Sequence, residues 1–297
     1  MNHSMKNQIS SRSRTKSKLI SITLLLVILT AGSGGVLSSA TTPSPPTSPA
    51  WKLVWSDEFN GPEGSAVDPT KWSHAVGGNG WGNQELEFYT DRIENAYLSH
   101  GSLVIKAIKE KYSGGTNVTR DFTSARLTTK NKFSTNYGRI EARIKIPYGQ
   151  GLWPAFWMLG DDIDRVRWPG AGEIDIMENI GREPSIIHGT IHGPGYSGAG
   201  GPSSSFSLPG NERFADSFHV FAVEWEPSVV RFYCDGTLYK TRTPADLPAG
   251  KQWVYDHPFF ILLNVAVGGQ WPGNPDETTS FPQVMLVDYV RVYQRAN

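Results

Sequence analysis

The sequence predicts an all-β chain built as two packed antiparallel sheets, with one concave face able to hold an extended polymer. Three observations predict it. Tyr137 to Ile146 alternates cleanly, with Ile140, Ala142, Ile144 and Ile146 on one face and Arg139, Glu141, Arg143 and Lys145 on the other. That is the period of two of a half-buried strand. The 31 glycines and 20 prolines fall mostly between such runs, as turn residues do. No stretch shows a convincing 3.6-residue period, and no long internal repeat is present.

The chain has 297 residues, 28 of them basic and 28 acidic. Its first 40 residues carry Lys6, Arg12, Arg14, Lys16 and Lys18 and no acid. An apolar run follows from Leu19 to Ala31, and Ser38-Ser39-Ala40 offers the small residues that a signal peptidase reads. Residues 1–40 are therefore expected to be a secretory signal peptide. A retained anchor is the rival, although the apolar core is short for a membrane span. Without residues 1–40, 23 basic and 28 acidic groups remain, a net charge of −5. Nothing basic points to nucleic acid or to an anionic membrane.

Residues 41–50 run Thr-Thr-Pro-Ser-Pro-Pro-Thr-Ser-Pro-Ala and read as an extended linker. From Trp51 the composition turns aromatic and β-branched, so residues 51–297 are expected to form one domain with one core. Further strands are expected over Ser102 to Lys109, Phe218 to Trp225, Val229 to Cys234 and Val284 to Gln294. Asp235-Gly236 is a tight hairpin signal leading into Thr237 to Lys240. Phe259 to Val267 is continuously apolar, as a strand buried on both faces would be. Cys234 is the single cysteine. It rules out an intramolecular disulfide, and its apolar setting reads as an inert buried thiol.

The chemistry concentrates in Glu173-Ile174-Asp175-Ile176-Met177-Glu178. On a regular strand Glu173 and Asp175 share a face and Glu178 turns away. A β-bulge, one extra residue in the strand, would return Glu178 to the acidic face. Paired carboxylates suit glycoside hydrolysis, one attacking the anomeric carbon while a protonated partner serves the leaving oxygen. Two such charges about 5 Å apart repel by roughly 3 kcal/mol at an effective dielectric of about 20, about two pKa units. That holds one glutamate protonated near working pH. A solvated acidic edge and a carboxylate metal site are the alternatives.

Just before the acids, Trp153, Ala155 and Trp157 would share a strand face, with Phe156 and Met158 on the other. Both tryptophans suit either a sugar platform or the core. Trp271 lies in a Gly/Pro loop, Gly268 to Gly273, where little is available to pack on it. His188 and His192 follow the acids and point to one face. A metal pair would need a third ligand. His192 is expected to hydrogen-bond sugar or an acid, and His188 serves equally well as a structural residue.

These pieces resemble glycoside hydrolase family 16, close to the bacterial laminarinases, which are endo-β-1,3-glucanases. The resemblance runs through Trp55-Ser56-Asp57-Glu58-Phe59, Asn83-Gln84-Glu85-Leu86, Trp153 to Met158, the acidic core, His188 to Gly193, Asn264 to Gly269 and Val287 to Tyr293. It implies a β-jelly-roll sandwich and a retaining mechanism. On the family pattern Glu173 is the nucleophile, Asp175 its electrostatic helper and Glu178 the acid/base. Met177 matches the bulged residue of the laminarinase-like branch. Asn83, Arg126, Trp153 and Trp157 match the glycone side of the cleft, and Trp271 a platform near the cleavage point. The resemblance also implies a structural calcium held by backbone oxygens of Glu58 and Gly101 and by the Asp288 carboxylate, ligands suited to a hard cation. No organic cofactor is expected.

The expectation is thus a secreted or periplasmic, monomeric endo-β-1,3-glucanase acting on β-glucan. The same fold acting on mixed-linkage glucan, agar or a galactan is one alternative, and a transglycosylase is another. A glucan-binding protein without catalysis is the third, and the intact acidic trio argues against it.

Overall fold

The structure, a computed structural model, describes residues 50–296. The expected signal peptide and residues 41–49 of the linker lie outside the described residues. In chain order the strands are β1 (Trp51–Asp57), β2 (Ser73–His74), β3 (Glu87–Tyr89), β4 (Ala96–Ser99), β5 (Ser102–Tyr112), β6 (Arg120–Ser124), β7 (Arg126–Thr128), β8 (Gly138–Lys145) and β9 (Leu152–Gly160). They continue as β10 (Glu173–Glu178), β11 (Ile186–His192), β12 (Ser203–Ser207), β13 (His219–Glu226), β14 (Val229–Cys234), β15 (Thr237–Arg242), β16 (Phe259–Val267) and β17 (Gln283–Arg295). The α-helical content of the described residues is one turn, Ile163–Val166. No described helix is long and apolar enough to cross a membrane.

Two sheets form the sandwich. The larger runs β15-β14-β13-β8-β17-β5-β6-β3, with β1 added to β17 and β4 to β5. The smaller runs β12-β11-β10-β9-β16-β7-β2. Pairing is antiparallel throughout, except that β3 and β6 run parallel. The two-sheet expectation therefore holds, and the strands read from alternation are all present. β5 and β15 run two or more residues longer than their patterns suggested, to Tyr112 and Arg242. Neighbouring strands extend them where apolar alternation has stopped: Tyr112 pairs with Arg120 and Arg242 with Val230.

Sequence periodicity explains the packing. In β8, Ile140, Ala142 and Ile144 are fully buried against the facing sheet. β16 is buried at every position. Phe259, Ile261, Leu263, Val265 and Val267 enter the main core, while Phe260 and Leu262 pack on the other side with Leu159, Trp157 and Ile163. Its place between β9 and β7 accounts for the long apolar run, which Asn264 alone interrupts. The Asp235-Gly236 turn joins β14 to β15, both residues at positive φ. Cys234 is fully buried and its thiol is pushed up by burial, which makes it inert.

Candidate active site

β10 lies inside the smaller sheet, between β9 and β11. Its register with β9 puts Asp175 opposite Trp157, then Met177 opposite Phe156 and Glu178 opposite Ala155. Ile176, which has no partner on β9, is the extra residue of a bulge, one position before Met177, where the family pattern placed it. Ile174, Ile176 and Met177 all enter the core at zero exposure. The bulge returns Glu178 to the face of Glu173 and Asp175, as the spacing of the acids required. Without it one apolar side chain would leave the core and Glu178 would be driven into it.

Each glutamate accepts an indole N–H. Trp168 Nε1 donates to Glu173 Oε2 at 2.7 Å, and Trp153 Nε1 donates to Glu178 Oε1 at 3.0 Å. Burial pushes Glu173 up to about 8, helped by the Asp175 charge, while His192 and Trp168 oppose the rise. Burial and the Glu173 charge push Glu178 up to about 8, with Trp153 alone opposing. Asp175 is raised well above the usual carboxylate range by burial and the Glu178 charge. Glu173 is half-buried, Asp175 and Glu178 are buried, and the three acids therefore do not all ionise at neutral pH. An indole donor and His192 favour the Glu173 charge, and an indole donor alone favours that of Glu178.

His192 Nε2 lies 3.1 Å from Asp175 Oδ2. Burial lowers the His192 pKa, with Glu173 pulling the other way. Asp175 Oδ2 and His192 Nδ1 are buried without a hydrogen-bond partner among the described residues. The structure thus brings His192 beside the acids. His188 is turned to a structural task, with Nε2 3.2 Å from Glu183 Oε2 and its ring against Trp271.

The aromatic walls follow from β9. Trp153 and Trp157 stay partly exposed on the face of the acids, while Phe156 and Met158 fill the core. Trp271 meets Trp153 edge-on at 5.4 Å. The Arg126 guanidinium is held between two rings, 4.5 Å from Trp81 and 4.7 Å from Trp157. Trp157 Nε1 donates to Asn264 Oδ1 at 2.7 Å. Asn83 ties two loops together, since its side-chain amide donates to Glu85 Oε1 at 2.9 Å and its carbonyl accepts the Gln270 N–H at 2.9 Å.

Sequence reasoning missed Trp168, Trp81 and Asn264. A signal existed for two of them. Trp168-Pro169-Gly170 repeats the Trp271-Pro272-Gly273 triplet, and Asn264 interrupts an otherwise apolar run. Trp81 carried no pattern beyond its glycine neighbours.

The family model "Glycosyl hydrolases family 16" matches residues 83–291. The chain belongs to glycosyl hydrolase family 16. It is 44% identical over 254 residues to a β-glucanase of Rhodothermus marinus, covering 83% of this chain and 86% of that protein. A glucan endo-1,3-β-glucosidase A1 of Niallia circulans is 37% identical over 270 residues, covering 85% of this chain and 39% of that longer protein. The laminarinase catalytic domain of Thermotoga maritima MSB8 matches with a TM-score of 0.79 at 50% identity, covering 83% of this chain and 99% of that one.

The expected cation ligands of this family 16 hydrolase lie on the larger sheet, apart from the acids. β17 pairs with β1 up to Asp57 opposite Val290, and with β5 from Leu103 opposite Val287. Glu58 follows the first pairing and Gly101 precedes the second, both along the edge of β17 opposite β8, with Asp288 between the two paired stretches. Asp288 stands at a register shift between Val287 and Tyr289. The Glu58 carboxylate accepts two bonds from Arg291, at 3.0 and 2.8 Å, which leaves its backbone oxygen as its contribution. Asp288 Oδ2 accepts from Arg143 at 2.8 Å. One carboxylate oxygen and backbone carbonyls form a set that fits a hard cation. In the cleft, Glu173, Asp175 and His192 bring donor atoms within 4.8 Å of one another.

Proposed function

We propose that this family 16 hydrolase is a secreted endo-β-1,3-glucanase that cleaves with retention by double displacement. The bulge in β10 carries the reading, because it brings Glu173 and Glu178 to one face with Asp175 between them. Glu173, favoured as the anion, attacks the anomeric carbon. Glu178, favoured as the acid, gives its proton to the leaving oxygen. Glu178 then takes a proton from water, and that water opens the glycosyl ester on Glu173. Asp175 lies between the two glutamates with His192 beside it, and as a carboxylic acid it can donate a hydrogen bond to the Glu173 carboxylate. Trp153, Trp157 and Trp271 supply faces for the apolar sides of glucose rings, and Asn83 and Arg126 supply polar edges on the glycone side.

The similarity to the glucan endo-1,3-β-glucosidase of Niallia and the laminarinase domain of Thermotoga favours β-1,3-glucan as substrate, and that to the Rhodothermus β-glucanase agrees with a β-glucan. A calcium ion, if held by Glu58, Gly101 and Asp288, would tie β1, β5 and β17 together and supply stability rather than chemistry. The basic and apolar residues 1–40 support export. A reducing-end assay across laminarin, curdlan, lichenan and agarose tests the substrate. Release from laminarin and curdlan is expected. Preference for lichenan or agarose would move the assignment to another polysaccharide, and no release from any would favour a binding protein.

A further inference from the structure

Glu85, Glu87 and Tyr89 alternate along the chain, so their side chains share a face. Glu87 is fully buried and Glu85 almost so. Glu87 Oε2 accepts the Val267 N–H at 2.6 Å. Its Oε1 is buried with no hydrogen-bond partner among the described residues. The group it faces is the Glu85 carboxylate. Two carboxylate oxygens close on each other only through a proton.

Glu85 is otherwise an acceptor, at Oε1 from Asn83 Nδ2 and at Oε2 from the Tyr89 hydroxyl at 3.1 Å. Having donated its one proton, the Tyr89 hydroxyl can only accept, and it accepts from Asn264 Nδ2 at 3.1 Å. That leaves Asn264 Oδ1 for the Trp157 indole at 2.7 Å. Reversing any link would set two donors or two acceptors face to face.

We propose that Glu87 is a positioning residue for the glycone side of the cleft. As a carboxylic acid it donates to Glu85 and so holds in place the acceptor that ends the Glu85–Tyr89–Asn264–Trp157 chain, whose direction the donor-only Trp157 indole fixes. Burial and then the Glu85 charge push the Glu87 carboxyl well above its ordinary range, which keeps the proton in place. The ionisable groups around the pair are Tyr89 on the same strand, Arg126 on β7, which acts on Tyr89, and Arg120 on β6. Arg120 Nε is committed to the Gly78 carbonyl at 2.7 Å.

The inference rests on the β-glucanase reading, because positioning is read through sugar binding. Infrared spectra of the whole protein in heavy water, parent minus E87Q at about pH 7.5, should contain the carbonyl band of one un-ionised carboxyl. Its absence overturns the proposal. On laminari-oligosaccharides E87L should raise KM about tenfold with kcat changed less than threefold. E87Q, which can still donate to Glu85 and accept from Val267, should recover most of that loss. Tyr89→Phe, which keeps the acid pair but cuts the chain below it, should raise KM as E87L does, and it serves if E87L does not fold. Unchanged KM in Y89F with an active parent overturns the positioning role alone. A parent inactive on every β-1,3-glucan overturns the activity reading and the positioning role with it, while the infrared band still decides the protonated pair.

Discussion

The Trp168 indole nitrogen stands 2.7 Å from Oε2 of Glu173, on the short segment that leads into β10. Trp168 is half exposed, so this bond is made at the rim of the cleft rather than in the core. It favours the ionised form of Glu173. Trp168→Phe should therefore lower kcat/KM about 10- to 100-fold, the loss expected for a hydrogen bond of roughly 1.5–3 kcal/mol to a charged group. It should also move the acidic limb of the pH profile upward, because the nucleophile then ionises later. A limb that stays put would show that Trp168 acts only as a sugar contact.

The stereochemical outcome follows from the two glutamates converging from one strand. The first product should be the β-anomer, followed by proton NMR before mutarotation. Glu173→Ala should abolish turnover, and azide should rescue it with the opposite anomer. Glu178→Ala should slow natural glucans severely yet spare aryl glucosides whose leaving groups need no proton. Azide should there give a β-glycosyl azide. Initial α-anomer from the parent, or exchanged rescue patterns, would falsify the assignment.

Glu178 also leaves a mark on stability. Its carboxyl is pushed from the ordinary value of 4.5 up to about 8, by burial first and the Glu173 charge second. The folded state thus binds this proton more tightly than the unfolded chain. The corresponding stability is fully present below about pH 4.5 and is lost as pH rises through about 8. Urea midpoints of the parent and Glu178→Gln should be similar near about pH 4, with the variant ahead near about pH 8.5. A gap that does not grow with pH would contradict the raised carboxyl.

Chelation separates the two places where a cation could sit. Loss of calcium from Glu58, Gly101 and Asp288 should lower the melting temperature, since a ligand of the native state stabilises by mass action. Room-temperature kcat should stay within about twofold, because the acids on β10 supply the chemistry. An unchanged melting temperature would remove the structural site. A collapse of kcat with restoration by added metal would instead point to Glu173, Asp175 and His192.

Export is checked by sequencing the amino terminus of secreted material. It should begin close after Ala40, where the small residues end and the Pro/Ser/Thr stretch starts. A mature chain that retains Leu24 to Leu29 would mean an anchor.

Much of this was legible in the residues themselves. Alternation over 137–146 and the apolar run over 259–267, broken only at Asn264, are local records of which faces are buried, so strands β8 and β16 could be read directly. The bulge was legible too, because three acids at that spacing can share a face only if one apolar residue is extra. What no local pattern records is which distant side chains meet. The pairing of β9 with β16 sets Trp157 on Asn264, and the loop around Trp168 reaches Glu173 through a bond between residues that share no periodicity. Arg126 between Trp81 and Trp157 likewise exists only once β7, β9 and the turn that carries Trp81 are brought together, and the bond from the Val267 N–H to Glu87 only once β16 meets β3. The sequence by itself determined the strands, the acidic face and the chemistry it can perform. Tertiary structure decided the protonation and orientation of those groups, because burial and hydrogen-bond partners are supplied by segments far apart in the chain.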